Sequence, residues 1–97
     1  MSLFHSDMLQ TISIKVTGKV QGVFYRQSTK EKALELNITG EVKNMPDGSV
    51  FIMTTGTEEQ LKDLVEWCHK GPKRAVVTKV EVENTALRNF SSFKIVT

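Results

Sequence analysis

The sequence has little of several residue types, and each shortage argues against a class of protein. Cys68 is the single cysteine, so the chain cannot form an internal disulfide, which favours a reducing, cytoplasmic compartment. Positive and negative side chains nearly balance at 13 against 11, so the composition does not indicate a nucleic-acid partner. His5 and His69 are far apart and have no cysteine or acidic partner at ligand spacing, so we expect no metal site.

The first ten residues, Met1 to Gln10, include polar side chains and lack a long apolar core. They resemble neither a secretion signal nor a membrane span, so no membrane partner is expected. We expect a loose tail over residues 1–10 and one small-cored domain over residues 11–97, present as a monomer.

The first part of the chain shows a strand pattern followed by a helix pattern. Ile12, Ile14 and Val16 alternate with polar residues, which is typical of a half-buried strand. A helix is predicted over residues 24–36. It should end at Asn37, because asparagine tolerates the left-handed conformation found after helix C-termini.

The rest of the chain predicts four strands and a second helix. Thr57 and Gln60 form a capping box, and the apolar residues behind it fall on one face of a helix that Gly71 ends. The predicted strands cover residues 39–45, 50–53, 76–83 and 93–95, with a Pro46-Asp47-Gly48 turn between the first two. Along residues 76–83 we expect even alternation between the two faces.

The order of these elements is β-α-β-β-α-β with an additional terminal strand. It predicts an α+β protein with the ferredoxin-like, split β-α-β sandwich, in which two helices cover one face of an antiparallel sheet. Because many unrelated functions use this architecture, the fold alone does not identify the chemistry.

The segment Gly18–Arg26, called the anion loop below, joins the first strand to the first helix. Free N–H groups at a helix start attract anions, glycines let the backbone approach an anion closely, and arginine offers two parallel hydrogen bonds. Its glycine spacing matches neither a Walker A motif nor a dinucleotide fingerprint. A tight turn followed by a solvated arginine is the alternative interpretation.

Asn44 lies at the end of the second predicted strand, from which it could approach the anion loop. Its amide offers a donor and an acceptor, which suits holding a water molecule in line with phosphorus. The alternative is that Asn44 caps the turn beside it, a common use of asparagine.

Two stretches, Gly18–Arg26 and Gly40–Val50, together resemble the signature of the acylphosphatase family. Shorter similarities at Glu66-Trp67-Cys68, Gly71-Pro72 and Val80-Glu81-Val82 extend the resemblance from about Thr11 to Ile95. The resemblance implies a ferredoxin-like enzyme that hydrolyses small-molecule acyl phosphates to a carboxylate and inorganic phosphate, without a metal or other cofactor.

The resemblance also implies the roles of individual residues. Arg26 would bind the substrate phosphate, and Asn44 would orient the attacking water. The backbone N–H groups that would cradle the phosphoryl oxygens belong to Gln21, Gly22, Val23, Phe24 and Tyr25. No general base is required, since the substrate phosphate can accept the proton of the water.

The chain departs from the family pattern outside these residues. Asn37 stands where glycine is usual, Glu41 where a bulky aromatic is common, and Phe51 where an acidic residue is common. The chain ends in Ile95-Val96-Thr97 without the usual tyrosine or arginine. These changes bear on stability, rate and substrate preference.

Three other functions remain alternatives. Cys68 and Arg74 have the Cys-x5-Arg spacing of thiol phosphatases, but Cys68 closes a helix instead of preceding one, which favours a buried structural thiol. RNA-recognition modules share this strand order, but residues 49–54 lack their aromatic strand motif. A phosphate-binding regulatory domain would share every site residue, and only turnover would distinguish it.

Overall fold

The computed structural model describes residues 8–96 of the chain. The order of elements is β1 (Gln10–Lys19), α1 (Tyr25–Glu35), β2 (Thr39–Asn44), β3 (Val50–Gly56), α2 (Glu58–Lys70), β4 (Val76–Thr85) and β5 (Phe93–Ile95). This order confirms the predicted one. Most of the expected tail lies outside the described residues, so its separation from the domain stays a prediction. Within residues 8–96, no helix is long and apolar enough to cross a membrane.

The five strands form one sheet in the order β4-β1-β3-β2-β5. Neighbours among the first four strands are antiparallel, as predicted. The terminal strand β5 instead pairs parallel to β2, so the sheet is mixed and not wholly antiparallel. The short strand covers an edge of β2 that would otherwise offer unpaired backbone groups, and the N–H of Val96 extends the pairing by donating to the carbonyl of Val42.

One face of the sheet carries the core. Ile14 on β1 and Val42 on β2 lie opposite Ile52 on β3, and all three side chains are fully buried. Tyr25 from α1 and Leu64 from α2 belong to the same buried cluster. Both helices therefore cover one face of the sheet, which confirms the predicted sandwich.

The helix ends follow the sequence signals. Thr57 and Gln60 form both hydrogen bonds of the predicted capping box at the start of α2. Asn37 has a φ of 60° just after α1, the conformation expected of it. The start of α1 is different, because Phe24 caps it in a left-handed conformation without any side-chain hydrogen bond.

The expected even alternation along β4 is wrong at one point. Gly18 pairs with Val77 whereas Thr17 pairs with Lys79, so β4 carries one extra residue and its two faces exchange there. A Cβ added to Gly18 would lie 2.2 Å from the carbonyl oxygen of Val76. Glycine thus lets β4 approach the end of β1 closely, just before the anion loop begins.

Candidate active site

The anion loop turns the chain from β1 into α1 through left-handed backbone conformations. Gly22 has a φ of 75°, and Phe24 has a φ of 65° and a ψ of 25°. An added Cβ on Gly22 would meet nothing within 4 Å, so its backbone angle, not crowding, favours glycine there. For Phe24 a backbone strain of about 1–3 kcal/mol is typical, and such strain often occurs at functional sites.

The backbone N–H groups of this loop have no acceptor within the described part of the chain. Among the hydrogen bonds of residues 8–96, none uses an N–H of Gln21 to Tyr25 as the donor. These groups sit at the positive end of the α1 dipole, and the first turn of α1 contains no acidic residue that would compete for it. The loop and helix start can therefore bind an anion through the backbone.

Arg26 lies in the first turn of α1 and is half-buried. Some basic residues are paired with a carboxylate, as Lys15 is with Asp47 at 3.0 Å. In the described part of the chain, by contrast, no carboxylate comes within ion-pair distance of Arg26. No carboxylate therefore competes with an incoming anion for the planar guanidinium.

Asn44 is the last residue of β2 and shares its face with Val42, toward the helices. Its side-chain oxygen Oδ1 is buried and has no hydrogen-bond partner, and no other side-chain polar atom among residues 8–96 is in this condition. Leaving a buried acceptor unsatisfied costs about 1–3 kcal/mol. A ligand or a water molecule that donates to this oxygen would remove the cost.

Arg26 and Asn44 line the same pocket, which has a volume of about 370 Å³. Gly22, Phe24 and Tyr25 of the anion loop line it as well. The lining contains one cation and no carboxylate, which suits a negatively charged ligand. Of the five loop residues predicted for the cradle, Gln21 and Val23 do not line the pocket, and Val23 packs in the core.

The turn after Asn44 is held by Asp47 and not by Asn44. Asp47 accepts hydrogen bonds from the hydroxyl and from the backbone N–H of Ser49. These bonds, together with Lys15, hold the pKa of Asp47 well below its usual range, so the carboxylate is ionised at neutral pH. The alternative that Asn44 serves as the turn cap therefore has no support in the hydrogen bonds.

The side chain of Gln21 makes a long-range contact that was not predicted from the sequence. Its side-chain amide nitrogen donates to the carbonyl oxygens of Met45 and Ser49, both at 2.9 Å. One side chain thus ties the anion loop to the β2–β3 turn and fixes the distance between the loop and Asn44. The partners are 24 and 28 residues away, so no local pattern could have indicated them.

Replacing Gln21 with alanine is expected to lower the free energy of unfolding by about 1–3 kcal/mol, because two carbonyls lose a donor in a partly buried place. Urea denaturation measures the change. Gln27 on α1 provides the matched control, since it is exposed and its contact with Glu31 lies at the surface. Gln27→Ala should change the free energy of unfolding by less than about 0.5 kcal/mol. Equal changes for the two substitutions would mean that the Gln21 hydrogen bonds do not stabilise the loop against the turn.

Cys68 cannot act as a nucleophile in this structure. It is fully buried on α2, and burial raises the pKa of its thiol to about 12. The carbonyl of Cys68 accepts a hydrogen bond from the hydroxyl of Tyr25 at 2.8 Å, so this end of α2 packs beneath the start of α1. The Cys-x5-Arg spacing therefore does not form a thiol phosphatase site.

The described residues also bear on a possible metal site and on pocket residues that were not predicted. Within residues 8–96, no group of three His, Cys, Asp or Glu side chains could hold a metal ion, and His5 lies outside that range. Gln27 and Ile95 also line the pocket and were not predicted. Ile95 reaches it through the unexpected parallel pairing of β5, which places it opposite Val42.

Two of the departures from the family pattern, Glu41 and Phe51, lie away from the pocket, whereas Ile95 at the atypical chain end lines it. Glu41 forms an ion pair with Arg88 at 3.6 Å, and the ammonium of Lys43 lies 5.8 Å from the centre of the Phe51 ring. Glu41 and Lys43 alternate with Val42 along β2, and Phe51 on β3 pairs with Lys43. All three therefore lie on the opposite face of the sheet from Asn44.

The chain is similar to known proteins over most of its length. The family model described as Acylphosphatase matches residues 12–95. An acylphosphatase of Marinobacter nauticus is 54% identical over 80 residues, which cover 81% of this chain and 87% of that protein. The structure of an acylphosphatase from Coxiella burnetii matches 98% of this chain and 100% of its own, with a TM-score of 0.90 and 36% identity. The structure of an acylphosphatase from Bacillus subtilis matches 93% of this chain and 100% of its own, with a TM-score of 0.88 and 35% identity.

Proposed function

This chain belongs to the acylphosphatase family, which hydrolyses acyl phosphates, and we propose that it does so by direct attack of water on phosphorus in the pocket between the anion loop and Asn44. The observation that carries the proposal is the buried, unpaired Oδ1 of Asn44 in the same pocket as the unpaired guanidinium of Arg26. Oδ1 can accept a hydrogen bond and the guanidinium can donate to an anion, so a water molecule beside a phosphate would pair with both.

Arg26 and the loop N–H groups hold the phosphoryl group. A transferring phosphoryl group spreads negative charge over its equatorial oxygens, and donors fixed in advance stabilise that charge without rearranging during the reaction. The planar guanidinium can donate two parallel hydrogen bonds, and the N–H groups at the start of α1 supply the others.

Asn44 holds the attacking water. Its Oδ1 accepts a hydrogen bond from the water and so directs the oxygen lone pair toward phosphorus. As the bond from water to phosphorus forms, the bond from phosphorus to the acyl oxygen breaks and its electron pair leaves on the carboxylate. The proton of the water passes to a phosphate oxygen of the substrate, so neither a general base nor a strong acid is required.

We also propose that the enzyme acts on a small acyl phosphate as a cytoplasmic monomer without a cofactor. The single cysteine supports the reducing compartment. A regulatory domain that binds phosphate but catalyses nothing would use the same pocket, so it is the second candidate. An RNA-binding function has less support, because Phe51 lies beside Lys43 and no second aromatic residue accompanies it on β3.

The test of this function is hydrolysis of benzoyl phosphate by the purified chain in the presence of a chelator. We expect turnover that the chelator does not reduce, with competitive inhibition by inorganic phosphate. Phosphate binding without turnover would favour the regulatory domain instead.

Replacing Cys68 with alanine is expected to leave hydrolysis intact, because the thiol is buried and protonated at neutral pH. The cost is confined to stability, about 1 kcal/mol for a small loss of core volume. Steady-state kinetics below the unfolding temperature, together with alkylation of the native chain, measure the effect. Complete loss of turnover in a folded Cys68→Ala variant would support the thiol mechanism over ours.

A further inference from the structure

The pocket lining includes apolar side chains that the phosphate chemistry does not use. Phe24 lines the pocket yet is 73% exposed, although its neighbour Tyr25 is buried in the core. Ile95 lines the same pocket from β5 and is half-buried. Arg26 and Asn44 supply the polar contacts, so the cavity offers both polar and apolar contacts.

Helix formation does not explain the residue type at position 24. The position caps α1, where serine, threonine, aspartate or asparagine normally supplies a hydrogen bond that Phe24 cannot make. Its left-handed backbone is also unfavourable for a large side chain. An exposed aromatic ring in this conformation contributes little to folding, and its contact with the pocket is the feature that remains.

We propose that Phe24 and Ile95 form the subsite for the acyl group and make the enzyme prefer acyl phosphates with an aromatic or long apolar acyl group. This inference rests on the proposed function. The substrate has a charged phosphoryl end and an acyl end. With the phosphoryl group on Arg26 and the loop N–H groups, the acyl end can lie against the ring of Phe24. Apolar contact with a ring and an aliphatic side chain favours an apolar acyl group over a small or charged one.

The test compares kcat/KM for benzoyl phosphate with kcat/KM for acetyl phosphate. Phe24→Asn removes the ring while keeping a residue that accepts the left-handed conformation. We expect the benzoyl-to-acetyl ratio to fall about tenfold, the lower end of what a lost apolar contact costs, because the pocket is open to solvent. Phe24→Leu should keep most of the ratio, and Ile95→Thr should lower it by a smaller factor.

Leu34 provides the matched control, since it is also an exposed apolar residue on α1 but does not line the pocket. Leu34→Ala should leave the ratio unchanged. If Phe24→Asn keeps the native ratio, because kcat/KM is unchanged or falls equally for both substrates, the acyl subsite is wrong while the proposed function stands. If the native chain hydrolyses neither substrate, the proposed function itself fails.

Discussion

Arg26→Ala is expected to lower kcat/KM for benzoyl phosphate by about 10²–10³-fold or more. Removing one fixed donor from a developing oxyanion costs about 3–4 kcal/mol, and Arg26 would supply two hydrogen bonds and a full charge. Arg26→Lys should not restore the rate, because a single ammonium cannot reproduce the planar double contact. Steady-state kinetics with both variants measure the loss.

The structure separates this effect from a loss of folding. Arg26 has no ion-pair partner within residues 8–96, so its removal should leave the unfolding temperature close to the native value. Inhibition by inorganic phosphate should weaken in parallel with the rate. Lys62, an exposed cation on α2, is the control, and Lys62→Ala should change the rate by less than about twofold. Native rates in a folded Arg26→Ala protein would remove Arg26 from the mechanism.

Asn44→Ala is expected to lower kcat by about 100-fold while changing KM much less. A residue that acts on the attacking water contributes in the transition state, whereas phosphate binding stays with Arg26 and the loop. Asn44→Asp should be equally inactive, because a carboxylate beside the phosphoryl group repels it. Kinetics with benzoyl phosphate separate kcat from KM.

The free energy of unfolding gives an independent readout for Asn44→Ala. Because Oδ1 of Asn44 accepts no hydrogen bond from residues 8–96, removing it should change the free energy of unfolding by less than about 1 kcal/mol. A loss of activity with no loss of stability is typical of a residue kept for function. Asn84, exposed on β4, is the matched control, and Asn84→Ala should alter neither quantity. A large rise in KM with unchanged kcat would instead assign Asn44 to phosphate binding.

Much of the fold could be predicted because its signals are local. Alternation at Ile12, Ile14 and Val16 marks a strand buried on one face, and the Thr57–Gln60 box marks a helix start within four residues. The left-handed Asn37 follows from the chemistry of one side chain. Such features depend on neighbours in the sequence, so the sequence displays them directly.

Features that depend on distant contacts could not be predicted in the same way. The bulge at Gly18 requires β4 to lie against β1, and the parallel pairing of β5 requires the chain to return to the far edge of the sheet. As a result, the pocket position of Ile95 was missed, and so was the tie from Gln21 to the β2–β3 turn.

The candidate site lies between these two cases. Free N–H groups before α1 follow from a strand, two glycines and a helix start in sequence. The position of Arg26 and Asn44 in one pocket does not follow from the local sequence. It depends on β2 lying next to β5 and under α1. Local pattern alone left turn capping as an alternative for Asn44, and the unpaired Oδ1 is the observation that argues against it.

Hydrolysis in heavy-oxygen-labelled water, with a chelator present, tests most directly whether water attacks phosphorus. If water held by Asn44 attacks the phosphoryl group, the label appears in inorganic phosphate and the carboxylate stays unlabelled. Mass spectrometry of both products after a single turnover reads out the result. Label recovered in the carboxylate would mean that water attacks the carbonyl carbon, which contradicts the mechanism.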